Sequence, residues 1–529
     1  MSIYHKLAEV VVARKYLISV LFLLILGLSV RLTGISALPA GLNQDEASIG
    51  YEAYSILKTG IDRNGNSYPV HLESWGSGQN ALYAYLSMPF IHFFGLNAFS
   101  VRIVNALLSC ISLLMFFLLF RIGFDRKKAL AALALFAIFP WSIMSARWGL
   151  ESNILPAFFL VGAFFLIKGY NSSPWYYLLS VVIFAFSLYS YGVTYLVLPM
   201  FFVLVIPYMY FNKKISIRFL LLGFGLFLIV ALPIILFVLI NHLNLQPIHL
   251  GGITIPRLEA NRTTVVFNLF NGNFISTLAK NSVRFLSVLV LQADGTEYNA
   301  IPMFGTIYPI SLVFFVVGLW GAFKNRTYFQ HYVFLCWFLC SVVLGITSHV
   351  NINRVNIIFI PLLYFVVLGV FDVLDMLKAE YKRNYKYLII GLYSLLFVLF
   401  CGYYGSIFKE NIKNDFSFGL KEAIQFAEKQ NNVDRINVTT RTINMPYIYV
   451  CFYNHLDPAE FRKSVRYSKK TINAEFRVVE QLGRYSFGTN LSDLKSIHIL
   501  SREEMDMLNT PIAFSRDFGN YSVVKFVNN

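Results

Sequence analysis

The sequence predicts a polytopic α-helical membrane protein with a small C-terminal α/β domain. Three observations predict it. Hydrophobic residues make up 57% of the 529 positions and charged residues only 14%. Apolar runs long enough to cross a bilayer recur along most of the chain. Beyond about Lys409 those runs stop, and the composition becomes that of a soluble domain.

The formal net charge of +16 invites a nucleic-acid partner. The basic residues cluster in short loops between apolar runs, which instead fits the positive-inside rule and contact with anionic membrane lipid. Nucleic acid is therefore excluded as a partner. Cys110, Cys336, Cys340 and Cys401 fall within apolar runs and only Cys451 lies outside them, so no disulfide framework is expected.

Taken in order, Met1–Lys15 carries Arg14 and Lys15 and reads as cytoplasmic, and span 1 covers about Tyr16–Ile35. No small-residue cleavage site follows it, so it reads as a retained span. A long outer loop, 36–99, comes next. Within it Asp45–Thr59 reads as a helix with Ile49, Ala53, Ile56 and Leu57 on one face, ended by Gly60. Ala81–Phe94 is apolar but short for a crossing and reads as an interfacial or re-entrant segment.

Spans 2 to 7 are expected at about Val101–Phe120, Ala129–Met144, Ile154–Tyr170, Tyr176–Ser190, Val193–Phe211 and Phe219–Ile240. A second outer loop, 242–303, follows. Spans 8 to 11 are expected at about Phe304–Phe323, Tyr332–Thr347, Ile357–Leu377 and Tyr387–Tyr404. With about eleven spans, the basic loops fall on one side and both long loops fall with the tail on the other. The transmembrane module is thus 1–408 and the extracytoplasmic domain 409–529. In that domain Gly419–Lys429 and Glu503–Leu508 read as helices, and Arg435–Thr440, Ser496–Leu500 and Tyr521–Val527 as strands.

Chemistry is expected at the outer face. Asp45 and Glu46 stand where the first span meets water, and ionisable groups there are functional candidates. Capping of the following helix by Asn43 or Asp45 competes with that view. Arg102, Arg147, His349 and Arg354 sit near span ends on the side where positive charge is disfavoured, a set that suits a bound phosphate. Snorkelling of Arg102 and an i,i+4 pair of Arg147 with Glu151 are the plain alternatives.

A carboxylate beside a lipid phosphate suits transfer of a sugar from a polyprenyl phosphate. Phosphate leaves without a general acid, and the acceptor hydroxyl needs one base. Asp45 is assigned as that base. Glu46, about 100° away on a helix, is an orienting group. Glu151, Tyr191, Asp294 and Glu297 are candidate substrate contacts. No cofactor is required by this scheme. A divalent metal on His71, Glu73 and Asp45 is left open, although no paired spacing supports it.

Leu42-Asn43-Gln44-Asp45-Glu46-Ala47, the run Gly50–Gly60 and Phe94–Arg102 resemble the bacterial family-39-type glycosyltransferases. These are GT-C fold enzymes similar to protein O-mannosyltransferases and the aminoarabinose transferase. The resemblance covers spans 1–4 well, the later spans loosely and the tail hardly at all. It implies a polyprenyl-phosphate-sugar donor, inversion at the anomeric carbon and transfer to an extracytoplasmic glycan, lipid or protein at the plasma membrane. It also carries the catalytic base to Asp45 and phosphate roles to Arg147 and to the element His349, Asn353-Arg354. Gly78-Gln79-Asn80-Ala81-Leu82 departs from the relatives' Pro-Leu element, and no aromatic residue follows Arg354. Two rival classes remain: a transporter or flippase, disfavoured because the spans carry little charge, and a non-catalytic envelope assembly scaffold.

Overall fold

The computed structural model describes residues 3–260, 274–430, 433–468, 476–488 and 493–527, so 261–273 of the second long loop lie outside it. Among the described residues, eight helices are long and apolar enough to cross a bilayer. A ninth arises if Arg126–Ile138 and Pro140–Arg147, bent by 61°, form one span. The other two expected spans are the apolar helices Trp175–Ser187 and Ser311–Lys324, of 13 and 14 residues. At 1.5 Å per residue each covers only about 20 Å of a core about 30 Å thick. For the second of these, the expected start at Phe304 gives way to turns through Tyr308, whose φ is 58°.

The helices are held by polar links where their sequences break. Pro140 has no N–H to offer Phe136 O, four residues back. Arg31 Nη2 donates to that carbonyl at 2.8 Å and Ser142 Oγ at 2.7 Å. This fully buried arginine in the first helix, α1 (Ile3–Leu32), thus stabilises the bend. Helices Ser311–Lys324 and Phe359–Met376 approach until their backbones touch. A Cβ on Gly318 would stand 1.9 Å from Phe365 O, and one on Gly369 1.8 Å from Phe314 O. Small residues permit this contact in place of hydrophobic burial, which drives nothing between helices in lipid.

The first long loop folds as α2 (Gln44–Thr59), a two-stranded hairpin of His71–Leu72 with Gln79–Asn80, and α3 (Leu82–Phe94). Helix α4 (Ala98–Gly123) then returns through the bundle. On α2, Ile49, Ala53 and Ile56 are buried and Gly60 ends the helix at φ 71°.

The tail contains a seven-stranded mixed sheet. Its order is Ile512–Phe518, Tyr521–Phe526, Ile497–Ser501, Ile436–Val438, Tyr485–Phe487, Val479–Leu482 and Val465–Tyr467. Ile436–Val438 is parallel to both neighbours, with Val438 opposite Ile499 and Phe487. All three expected strands and both expected helices occur, three of them trimmed and two, Ile497–Ser501 and Arg502–Asp506, displaced by a residue or two. The domain does not stand apart from the first loop. Ile49, Ala53 and Ile56 share one apolar core with Leu420, Ile448 and Phe452. A Cβ on Gly50 would meet the Phe452 ring at 2.5 Å, so only glycine lets helix Tyr447–Tyr453 lie this close to α2.

Candidate active site

The two adjacent acids diverge. Asn43 caps α2 by accepting from Asp45 N, and Glu46 Oε2 accepts from Asn43 N at 3.0 Å, completing a capping box. Glu46 is fully buried and grips Arg102 in a bidentate pair, Nε–Oε1 2.7 Å and Nη2–Oε2 2.8 Å. Gly149 N adds a third contact to Oε1 at 2.9 Å. Asp45, one residue earlier, lines a cavity.

Two of the arginines expected around a phosphate are occupied by the protein itself. Arg102 is fully buried and also donates to Ile35 O, Pro39 O and Gly41 O. It thereby ties the exit of α1 to α2 and α4. Arg147 donates to Val30 O at 3.0 Å, Thr33 O at 2.8 Å and Leu38 O at 3.1 Å. A cation there satisfies carbonyls that a helix C-terminus leaves unpaired. The chain leaves helical geometry at Trp148, so Arg147 and Glu151 do not sit as i,i+4 neighbours on one helix. Arg102 and Arg147 do not line the cavity.

The cavity, of about 440 Å³, lies where the first loop meets the ends of several helices. Asp45, Glu151, Tyr191 and Arg354 from the expected set line it. His71, Asn80, Tyr195, Asn241, His242 and Asn353 also line it. Glu151 is anchored by Asn80 N at 2.5 Å, and the Asn80 amide reaches Tyr195 Oη and Leu188 O, each at 3.3 Å. Asn80 belongs to the element that departs from the relatives' Pro-Leu pattern, so sequence comparison drew attention away from it. The signal available for it and Asn241 was a polar side chain at the end of an apolar run.

Arg354 is half-buried, and its Nη1 donates to His349 O at 3.1 Å. His349 stands beside it outside the cavity lining, with Nε2 2.8 Å from Arg284 Nη1. Burial, then the charges of Arg354 and Arg284, lower the His349 pKa. His349 is therefore neutral near pH 7 and accepts from Arg284, adding no positive charge of its own. Asp294 and Glu297 serve the framework. Asp294 accepts from Ile352 N at 2.9 Å and Asn299 Nδ2 at 2.7 Å, joining two loops. Glu297 accepts from Tyr403 Oη and Asn411 Nδ2.

Among the described residues, no three or more His, Cys, Asp or Glu side chains gather where a metal ion could be held. His71 stacks on Phe237 at 4.1 Å between centroids, and Glu73 pairs with Arg477. All five cysteines are free.

Behind α2 lies a second buried pair. Arg63 Nε is 3.2 Å from Glu52 Oε1, both fully buried, and the guanidinium lies 4.7 Å over Trp75. Burial raises the Glu52 pKa to about 7, against the pull of Arg63. Arg477 reaches from the tail to both Glu73 of the first loop and Glu259 of the second.

Residues 80–237 match the family model of dolichyl-phosphate-mannose-protein mannosyltransferases. Among solved structures, the chain is similar to ArnT from Cupriavidus metallidurans bound to undecaprenyl phosphate, with a TM-score of 0.56 and 13% identity. That likeness covers 96% of this chain and 97% of the other. The apo state of the same protein matches with the same TM-score and coverage at 14% identity. The apo oligosaccharyltransferase of Archaeoglobus fulgidus reaches a TM-score of 0.48 at 15% identity, over 83% of this chain and 64% of that one. No curated protein matches in sequence. The fold is that of the GT-C glycosyltransferases, as the resemblance around Asp45 implied.

Proposed function

We propose that this multi-pass GT-C fold membrane protein is a glycosyltransferase. It moves a sugar from a polyprenyl-phosphate-linked donor to an extracytoplasmic acceptor. The reading is carried by one observation: Asp45 and Arg354 line the same polar cavity. A carboxylate and a guanidinium there offer one base and one phosphate holder, the two groups this reaction requires.

In the proposed step, Asp45 accepts the proton of an acceptor hydroxyl as its oxygen attacks the anomeric carbon. The bond from that carbon to the phosphate oxygen breaks on the opposite face. The electron pair leaves with the lipid phosphate, and the anomeric centre inverts. Arg354 holds the departing phosphate in fork geometry, with Arg284 behind it through His349. Glu151, fixed by Asn80, orients the acceptor. Arg102, Glu46 and Arg147 act as positioning residues, because they set the entry of α2 and hence the place of Asp45. The family model over residues 80–237 and the undecaprenyl phosphate named with ArnT support a lipid-phosphate donor. The basic loops between the apolar runs, expected on the other side by the positive-inside rule, support the extracytoplasmic side.

The test is consumption of radiolabelled polyprenyl-phosphate-sugar by membranes carrying wild type or Asp45→Asn at equal expression. Wild type is expected to consume donor, and the variant to lose about 10²–10⁴-fold, the range for a general base. Equal consumption by both removes Asp45 from the chemistry. No consumption by wild type of any donor offered favours transport or scaffolding.

A further inference from the structure

The end of the bundle remote from Asp45 holds a second cavity, of about 640 Å³, between Arg126–Ile138, Phe359–Met376 and Ala379–Gly405. We propose that it is a binding groove for an anionic diacyl phospholipid of the phosphatidylglycerol type. Lys127, Lys382, Arg383 and Lys386 line it, against a single acid, Asp375. Asp375 is itself paired with Lys382 at 3.1 Å, which leaves three cations facing one opening. The rest of the lining is mostly apolar, from Leu130 and Leu374 to Ile138 and Tyr393.

Two features select a lipid over a soluble anion. The cations all lie near helix ends at the connections 124–125 and 377–378, the level of lipid headgroups. From Lys127 to Ile138 the groove runs eleven residues along one helix, about 17 Å. Half of a hydrocarbon core is about 15 Å. A phosphodiester at the rim thus places acyl chains along apolar walls of one leaflet's depth. Helix Ala379–Gly405 leaves room for them, since only Tyr393, Phe400 and Tyr404 of its residues are buried. Basic pockets between membrane helices are suited to such headgroups. The much longer chain of a polyprenyl phosphate outruns this groove.

The experiment titrates the purified full-length chain with dioleoyl phosphatidylglycerol, followed by native mass spectrometry. Dioleoyl phosphatidylcholine, inorganic phosphate and undecaprenyl phosphate are run in parallel. Two variants address the halves of the site: Arg383→Gln with Lys386→Gln removes charge, and Ala134→Phe fills the groove with every charge kept. Phosphatidylglycerol is expected to bind wild type at least tenfold more tightly than phosphatidylcholine. The double variant is expected to lose roughly 25-fold, at about fivefold per cation. Ala134→Phe is expected to weaken phosphatidylglycerol at least fivefold without changing expression. Equal binding of both phospholipids overturns the proposal. So does unchanged binding in either variant, inorganic phosphate that competes as well as the lipid, or undecaprenyl phosphate that displaces phosphatidylglycerol from the wild type. A concentration-dependent dimer that the double variant dissolves also overturns it, by making the groove a seat for a second copy.

Discussion

The two regions that hold the span-end arginines are built on opposite terms. At the α1–α2–α4 junction, Arg102 has no exposed surface and its guanidinium nitrogens reach one carboxylate and three backbone carbonyls. In the cavity, Arg354 is half-buried and held through His349 O. The first region is saturated and dry; the second is polar and open to a ligand. Position along the chain does not distinguish them, because both arginines stand near the ends of apolar runs. What separates them is whether the fold itself supplies the negative partners. A buried guanidinium with a bidentate carboxylate is a structural bond first, and it reaches chemistry only by placing the residue next door.

That contrast is most easily broken at Arg102. Arg102→Ala strands the Glu46 carboxylate in the interior, and removing one partner of a buried pair costs about 3–5 kcal/mol. Thermal unfolding in detergent should show that loss together with loss of activity. Arg102→Lys keeps the charge but not the fork, and should recover only part of it. If Arg102→Ala leaves the melting temperature unchanged while abolishing donor consumption, Arg102 belongs with the ligand and the division fails. Arg354→Gln should behave the other way round. Its folding is expected to match wild type, while donor turnover falls about 10²-fold, the lower range for removing one donor from a developing anion. Arg354→Lys should restore little if fork geometry holds the phosphate.

Much of this was legible beforehand, and the failures have physical causes. Span positions follow from apolar length, and the helix at Asp45 from its cap, periodicity and Gly60. The divergence of Asp45 and Glu46 follows from the turn of a helix. The shared core of α2 and the tail was not legible, because Gly50 and Phe452 are 402 positions apart and nothing local marks their contact. The same holds for Glu46 with Arg102: charge spacing shows that ions are present, not which of them find each other. Helix Ser311–Lys324 came out short because hydropathy cannot see the turns before it.

A subtler distinction concerns the Glu52–Arg63 pair, buried like Glu46–Arg102 but with a carboxyl shifted upward by burial to about 7. Its folded pKa lies above the ordinary 4.5, so the folded state holds the proton more firmly than the unfolded chain. Its stabilising contribution is present at low pH, declines as pH rises from about 4.5 and is gone above about 7. Melting temperature should therefore drift downward by about a few degrees across that window and then level off. Glu52→Gln, permanently neutral, should flatten the drift. A drift that persists in the variant assigns it to another group.

The smallest expected effect probes how the tail is attached to the cavity loops. Arg477 links Glu73 and Glu259, which belong to the two long loops that line the site. It is 25% exposed and Glu259 57%, so water and salt screen that link more than the one to Glu73, which is 12% exposed. Ion pairs of this kind contribute about 0.2–1 kcal/mol. Arg477→Met keeps most of the aliphatic stem and removes the charge, together with the guanidinium that lies over the Tyr467 ring. Global unfolding should barely move, because the apolar core around Ile448 and Phe452 carries the docking of the tail. Hydrogen exchange should instead quicken at the backbone amides of Gly76, Gly78 and Ala260, which lie between the linked carboxylates. Raising the salt concentration should bring wild type toward the variant, since screening weakens the same contacts. Should Arg477→Met unfold the tail outright, the ion pairs and not the apolar core hold it, and the first loop would depend on surface charge for its place.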